Sequence, residues 1–177
     1  MALHPSHIAE ASGIQHMDVC YGGVADHVCA QYAGELPASQ TDPDLGNRRY
    51  LIASITKPIV AMAALKLAAE GEFSLVDRIA KLLPDFGKAA FRRITVRHLL
   101  THSSGFPDML PENTALRAAH ATLDEFLQRA ADVPLDFSTG MDCRYSSVGF
   151  LLLGAIVERT TGIPLSEFLR QNFFEPL

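Results

Sequence analysis

The chain has 177 residues, 48% of them apolar, enough for one or two domains with a buried core. Its formal net charge of −5, with no basic run or Gly-rich phosphate loop, argues against nucleic acid or an anionic membrane surface as the main partner. Val148 to Val157, the longest apolar stretch, is about half a bilayer's width, and residues 1–13 lack the basic start and apolar run of a signal peptide, so neither a membrane span nor a leader is expected.

In chain order, residues 4–12 can form one or two helical turns, ended by Gly13. Residues 14–21 and 27–32 read as the strands of an antiparallel β-hairpin, in which His16 and His27 can face each other. Residues 34–48 are loop by composition. Cys20, Cys29 and Cys143 are an odd set without metal spacing, read as free thiols of a reducing, cytoplasmic compartment.

Arg49 to Val60 gives a short extended apolar run, then Ser54-Ile55-Thr56-Lys57, then a helix expected to reach Glu70 with Gly71 as its cap. Ser54 and Lys57 are three apart and would share one helix face. A hydroxyl becomes a good nucleophile when a base takes its proton, and a neutral lysine can be that base. From Ile59 to Ala69 the only charge is Lys66, so this helix is expected to be buried nearly all round, which disfavours an ammonium. The helix-start N–H groups and the positive dipole end would then suit an oxyanion. The plainer alternative makes Ser54 an N-cap.

Further helices are expected over 75–83, ended by Pro84, and over 96–101, capped by Thr95 and running into His102-Ser103-Ser104-Gly105. Thr122 and Glu125 form a capping-box pattern for another, to about 131. Tyr145 stands just before a helix over 146–160, with Gly162 past its end, and Pro164 opens a last one over 165–173. His98 and His102 have a zinc-compatible spacing, but Leu99 stands where the Glu of His-Glu-x-x-His would be; a structural role is expected, and no metal. No Gly-x-Ser-x-Gly occurs, so an α/β-hydrolase nucleophile elbow is excluded.

Four stretches together carry a resemblance. They are Leu51 to Pro58, Ile94 to Gly105, Arg144 to Gly154, and Thr161 to Pro164 continuing through Phe174-Glu175-Pro176-Leu177. In order and rough spacing the chain resembles the serine β-lactamase-like hydrolases, which group class C β-lactamases with D-alanyl-D-alanine peptidases, esterases and related acyl-transfer enzymes. The resemblance implies Ser54 as nucleophile, Lys57 as proton acceptor and Tyr145 as the tyrosine of the Tyr-x-Asn motif, which shares the proton shuttle. A neighbouring ammonium would stabilise its phenolate. Ser147 stands at the substrate-binding position where Asn is usual. A hydroxyl has fewer donors and a shorter reach than a carboxamide, so esters are expected to be favoured over β-lactams.

The fold class implied is α/β, of the α+β type. It comprises a mainly helical domain and an antiparallel hairpin forming the edge of a larger β-lactamase-like sheet. Residues 1–50 would be the helix, hairpin and loop of the sheet domain, and 51–177 the helical domain. The implied function is acyl-enzyme hydrolysis of a small-molecule ester or amide, with no metal or organic cofactor. The alternative is a non-catalytic or truncated penicillin-recognising fold used for binding or sensing. Only the N-terminal part of the family pattern is matched, before its Lys/His-x-Gly motif and second oxyanion donor. Residues 1–177 alone are therefore expected to be poorly active and prone to associate. The oligomeric state is left open.

Overall fold

The computed structural model describes residues 16–22, 27–33 and 51–176, with side chains from residue 51 onwards. The expected helix at 4–12, the hairpin tip and the loop at 34–48 lie outside the described residues. The chain divides into two compact units, Met1–Leu51 and Ile52–Leu177. In the first, β1 (His16–Gly22) and β2 (His27–Ala33) pair antiparallel as a two-stranded ladder. The register sets His16 opposite Ala33 and His27 opposite Gly22, so the two histidines do not face each other.

The second unit begins with a 3₁₀ turn, Ala53–Ile55. Seven α-helices follow among the described residues. They are α1 (Thr56–Ala69), α2 (Ile79–Leu82), α3 (Val96–Leu100), α4 (Asn113–Ala118), α5 (Leu123–Ala130), α6 (Ser147–Thr161) and α7 (Leu165–Leu169). A π turn, Arg170–Phe174, continues α7. Among its described residues this unit has no strand, only one isolated bridge between Arg78 and Thr95.

The expected α/β class, with a hairpin at the edge of a larger sheet, is therefore corrected. The second unit is helical, and no larger sheet is seen among the described residues. The reason is visible in the segment most inclined to extend, Ile94-Thr95-Val96. It supplies one bridge residue before Thr95 closes a capping box with His98 and starts α3.

α6 organises the core. Residues 152–157 are all buried, and α1, α3, α5 and α7 pack around them. Ala63 and Ala64 of α1 are fully buried, and α1 packs on α6, where small side chains allow close approach. Phe86, Phe91 and Phe106 form an aromatic cluster with ring centroids 5.1–6.1 Å apart. Each large side chain buried here contributes about 1.5–3 kcal/mol of transfer free energy. No single helix among the described residues is long and apolar enough to cross a membrane.

Two helix expectations change. α1 is buried along one face, at Val60, Ala63, Ala64 and Leu67, while Met62 and Leu65 are about half exposed at 46% and 45%. Burial all round is thus corrected: the core elements cover the i, i+3, i+4, i+7 stripe alone. The expected helix over 75–83 is helical only at Ile79–Leu82. Its first turn is diverted, because the carbonyls of Leu75 and Asp77 accept from the N–H groups of Arg97 and Val96. The Asp77 carboxylate in turn accepts from the Ser74 N–H.

The loop after α3 is lashed to a distant segment. The Gly105 carbonyl accepts from the Asp136 N–H at 2.8 Å, and the Ser103 carbonyl from the Gly140 N–H at 2.9 Å. Gly105 has φ +93°, and a Cβ there would lie 2.3 Å from the Phe137 carbonyl oxygen. Gly105→Ala is expected to cost about 2–4 kcal/mol, combining the left-handed backbone with the clash. Gly71 has φ +85° but nothing within 4 Å of a Cβ, so Gly71→Ala should cost only about 1 kcal/mol. Equal losses in urea denaturation would show that the contact with Phe137 does not matter.

Candidate active site

Ser54 lies in the 3₁₀ turn before α1, reached through Ala53, whose φ is +44°. A non-glycine residue held there is strained by roughly 1–3 kcal/mol, and strain of this kind gathers at functional sites. The N-cap alternative is not what the turn shows: no side-chain cap bond forms at the start of either the turn or α1. Instead the Ser54 Oγ accepts from the Lys57 Nζ at 3.2 Å and from the Tyr145 hydroxyl at 2.6 Å. One helical turn brings Lys57 over Ser54; Tyr145 arrives from 91 residues away, on the segment leading into α6.

Lys57 has a second partner. Its Nζ donates to the Ser147 Oγ at 3.1 Å and lies 4.5 Å from the centroid of the Tyr145 ring. The Tyr145 phenol is held below its ordinary 10, first by the neighbouring Lys57 amine and then by its hydrogen bond with Ser54. The four residues predicted from sequence are therefore joined in one hydrogen-bonded group. Lys57 and Ser147 are half-buried, while Ser54 and Tyr145 are exposed on the open side.

Two further residues complete the arrangement. Asp108 accepts from the Ser147 hydroxyl at 2.7 Å and from the Ser147 N–H at 3.0 Å. Sequence reasoning missed it, because 39 residues separate the pair and only the tertiary fold joins them. His102, expected to be structural, stacks on Tyr145 at 4.9 Å and on Phe150 at 5.1 Å. Its Nδ1 accepts the Ser146 N–H at 3.0 Å and its carbonyl the Arg144 N–H at 3.0 Å. The backbone on both sides of Tyr145 is thus tied to one residue, itself at φ +55°. The other member of the pair, His98, accepts the Thr95 N–H at its Nδ1.

An apolar pocket of about 300 Å³ adjoins Lys57 and Ser147, walled by Val60, Leu110, Phe126, Phe150 and Leu151. Its size is at the low end for small-molecule sites.

Residues 21–177 match the family model Beta-lactamase. The chain belongs to that family. Among curated relatives, the esterase EstB of Burkholderia gladioli is 36% identical over 143 residues, which are 72% of this chain and 36% of that protein. An N-acetylmuramyl-L-alanine amidase of Bacillus subtilis is 32% identical over 139 residues, 71% of this chain and 31% of the amidase. The chain thus spans about a third of the length of these relatives. A penicillin binding protein from Bacillus halodurans superposes with a TM-score of 0.78 at 26% identity, covering 97% of this chain and 54% of that one. Within the β-lactamase-family fold, the described helical unit carries the Ser54, Lys57 and Tyr145 cluster.

Both histidines are held below the ordinary 6.5, chiefly by burial. For His102 the Lys57 charge adds to that effect and Asp108 opposes it. The unfolded chain therefore takes up these protons first as the pH falls. The associated stability is complete above about 6.5 and is lost as the pH drops through the lower folded values. Asn tolerates a left-handed backbone and offers an amide oxygen to the Ser146 N–H. His102→Asn is thus expected to keep the fold and to reduce the fall in Tm between about pH 7 and 5. An acid dependence identical to the parent's would show that His102 does not carry it.

Proposed function

We propose that this protein is a serine hydrolase that forms an acyl-enzyme on Ser54, with small carboxylic esters as the favoured substrates. The observation that carries the reading is the convergence of Lys57 and Tyr145 on one hydroxyl oxygen, at 3.2 and 2.6 Å. Both lie within reach of the proton that Ser54 must lose.

The chemistry is balanced by one shared proton. As the Ser54 Oγ bonds to the ester carbonyl carbon, its proton passes to the Lys57–Tyr145 pair, which enters the step one proton short. The carbonyl π electrons move to oxygen, where the positive end of the α1 dipole favours the negative charge. When the tetrahedral centre collapses, the bond to the leaving alkoxide breaks, and the pair returns the proton to that oxygen. Water, deprotonated by the same pair, then releases the acid and restores Ser54.

The preference for esters is supported by Ser147. Its hydroxyl is engaged by Lys57 and Asp108, so it does not project a two-handed amide towards a substrate's acylamino group. The similarity to the esterase EstB points the same way. A missing polar contact is worth about 1–2 kcal/mol, so kcat/KM for p-nitrophenyl butyrate should exceed that for nitrocefin by roughly tenfold or more. A higher value for nitrocefin would overturn the ester preference.

A further inference from the structure

We propose that Asp108 is a positioning residue of the Ser54 centre: through Ser147 it sets the direction of the hydrogen-bond chain, so that Lys57 turns its lone pair towards Ser54. The inference rests on the reading of Ser54 as the nucleophile and concerns how its base is aimed.

A carboxylate only accepts hydrogen bonds. The Asp108 Oδ1 takes the Ser147 hydroxyl proton at 2.7 Å, and a hydroxyl has just one to give. The Ser147 Oγ can then face Lys57 only as an acceptor, as its 3.1 Å contact with Nζ requires. A neutral lysine has two N–H bonds and one lone pair. In the structure Nζ donates to the Ser54 Oγ at 3.2 Å. When Lys57 acts as the base, an N–H committed to Ser147 leaves the lone pair, at that same short range, for the proton that Ser54 gives up. Without Asp108, the Ser147 hydroxyl is free to rotate and donate to that lone pair, in competition with Ser54. A carboxamide oxygen at this position could only accept from the lysine, with no such ambiguity. Ser147 gains the same polarity from Asp108.

The carboxylate is firmly placed. Its Oδ1 also accepts the Ser147 N–H at 3.0 Å, and the Asp108 carbonyl accepts the N–H groups of Ser147 and Val148 at 3.0 and 3.2 Å. The preceding Pro107 carbonyl accepts from the Ser146 hydroxyl at 2.9 Å. Asp108 therefore also caps the N-terminus of α6, where negative charge is favoured. That capping role alone would explain its position, so the test must separate the two roles.

The separation comes from a double-mutant cycle on Asp108→Ala and Ser147→Ala. Readouts are the rate of Ser54 labelling by a fluorophosphonate, kcat/KM for p-nitrophenyl butyrate, and Tm. Asp108→Ala is expected to slow labelling and turnover about 10- to 100-fold, the cost of misaiming a reacting group. Asp108→Asn keeps an acceptor for the hydroxyl and should remain within about threefold of the parent. In the Ser147→Ala background, Asp108→Ala should change the rates by less than about twofold while still lowering Tm, because the cap is lost in both backgrounds.

Equal rate losses in both backgrounds would overturn the proposal and leave Asp108 a cap. A loss in Asp108→Asn as large as in Asp108→Ala would overturn it too. Ser147→Ala leaves the backbone caps in place but removes the acceptor that holds the Lys57 N–H, so it must by itself slow labelling and turnover. Full rate in that variant overturns the proposal even if Asp108→Ala does not fold. Absence of any label on Ser54 in the parent protein would remove the nucleophile reading, and this inference with it; a labelled parent with additive losses removes the inference alone.

Discussion

Changing Ser54 to Ala is expected to lower kcat/KM for p-nitrophenyl butyrate on the order of 10⁴–10⁶-fold, the loss that follows deletion of a nucleophile in a concerted set. The size follows from the geometry. The bonds from Lys57 and Tyr145 both end on the Ser54 Oγ, and alanine leaves them aimed at nothing. Stability should stay within about 0.5 kcal/mol, because the Ser54 side chain is exposed and caps no helix. The pairing of a large kinetic loss with an unchanged Tm is the signature to look for. A variant within tenfold of the parent would show that another group forms the acyl-enzyme.

The double change Lys57→Ala with Tyr145→Phe should cost little more than the worse of the two singles, each of which should lose about 10²–10⁴-fold. The structure gives the reason. Lys57 is the first cause of the depressed Tyr145 phenol, and both groups bond the same oxygen, so one proton is shared between them. Deleting either partner breaks the same shuttle, and the second deletion has little left to remove. The sign of the pH effect is fixed as well: without the Lys57 charge, the Tyr145 phenol should return upwards towards its ordinary 10. If the two losses in log(kcat/KM) simply add, the residues act separately and the shared-proton account is wrong.

Much of the helical unit was legible where local chemistry decides it. Thr122 and Glu125 do form a reciprocal capping box, and Ser146 caps α6 by accepting the Gly149 N–H. What escaped was set by tertiary bonding. The turn at 75–78 gives its carbonyls to the start of α3 and so is not helical there. α4 carries no buried residue, so it has no apolar stripe by which a reader could find it. The implied sheet class failed for a related reason: resemblance carries the architecture of a whole family, whereas the capped helices of 52–177 record only their own.

The same division runs through the site. Ser54 and Lys57 are one turn apart and were visible from spacing alone, and Tyr145 and Ser147 from the family pattern. Asp108 was not, because nothing local links a loop aspartate to a helix start 39 residues later. For His102 the sequence pointed only to a structural role; its contacts give that role its form, an imidazole accepting a backbone N–H and stacked between two rings.

The most direct test of the central claim is the mass of the Ser54 peptide after treatment of the purified protein with a fluorophosphonate. The account predicts a single phosphonyl adduct on Ser54, slowed by Lys57→Ala and absent in Ser54→Ala. An adduct on a different residue, or undiminished labelling in Ser54→Ala, would contradict it.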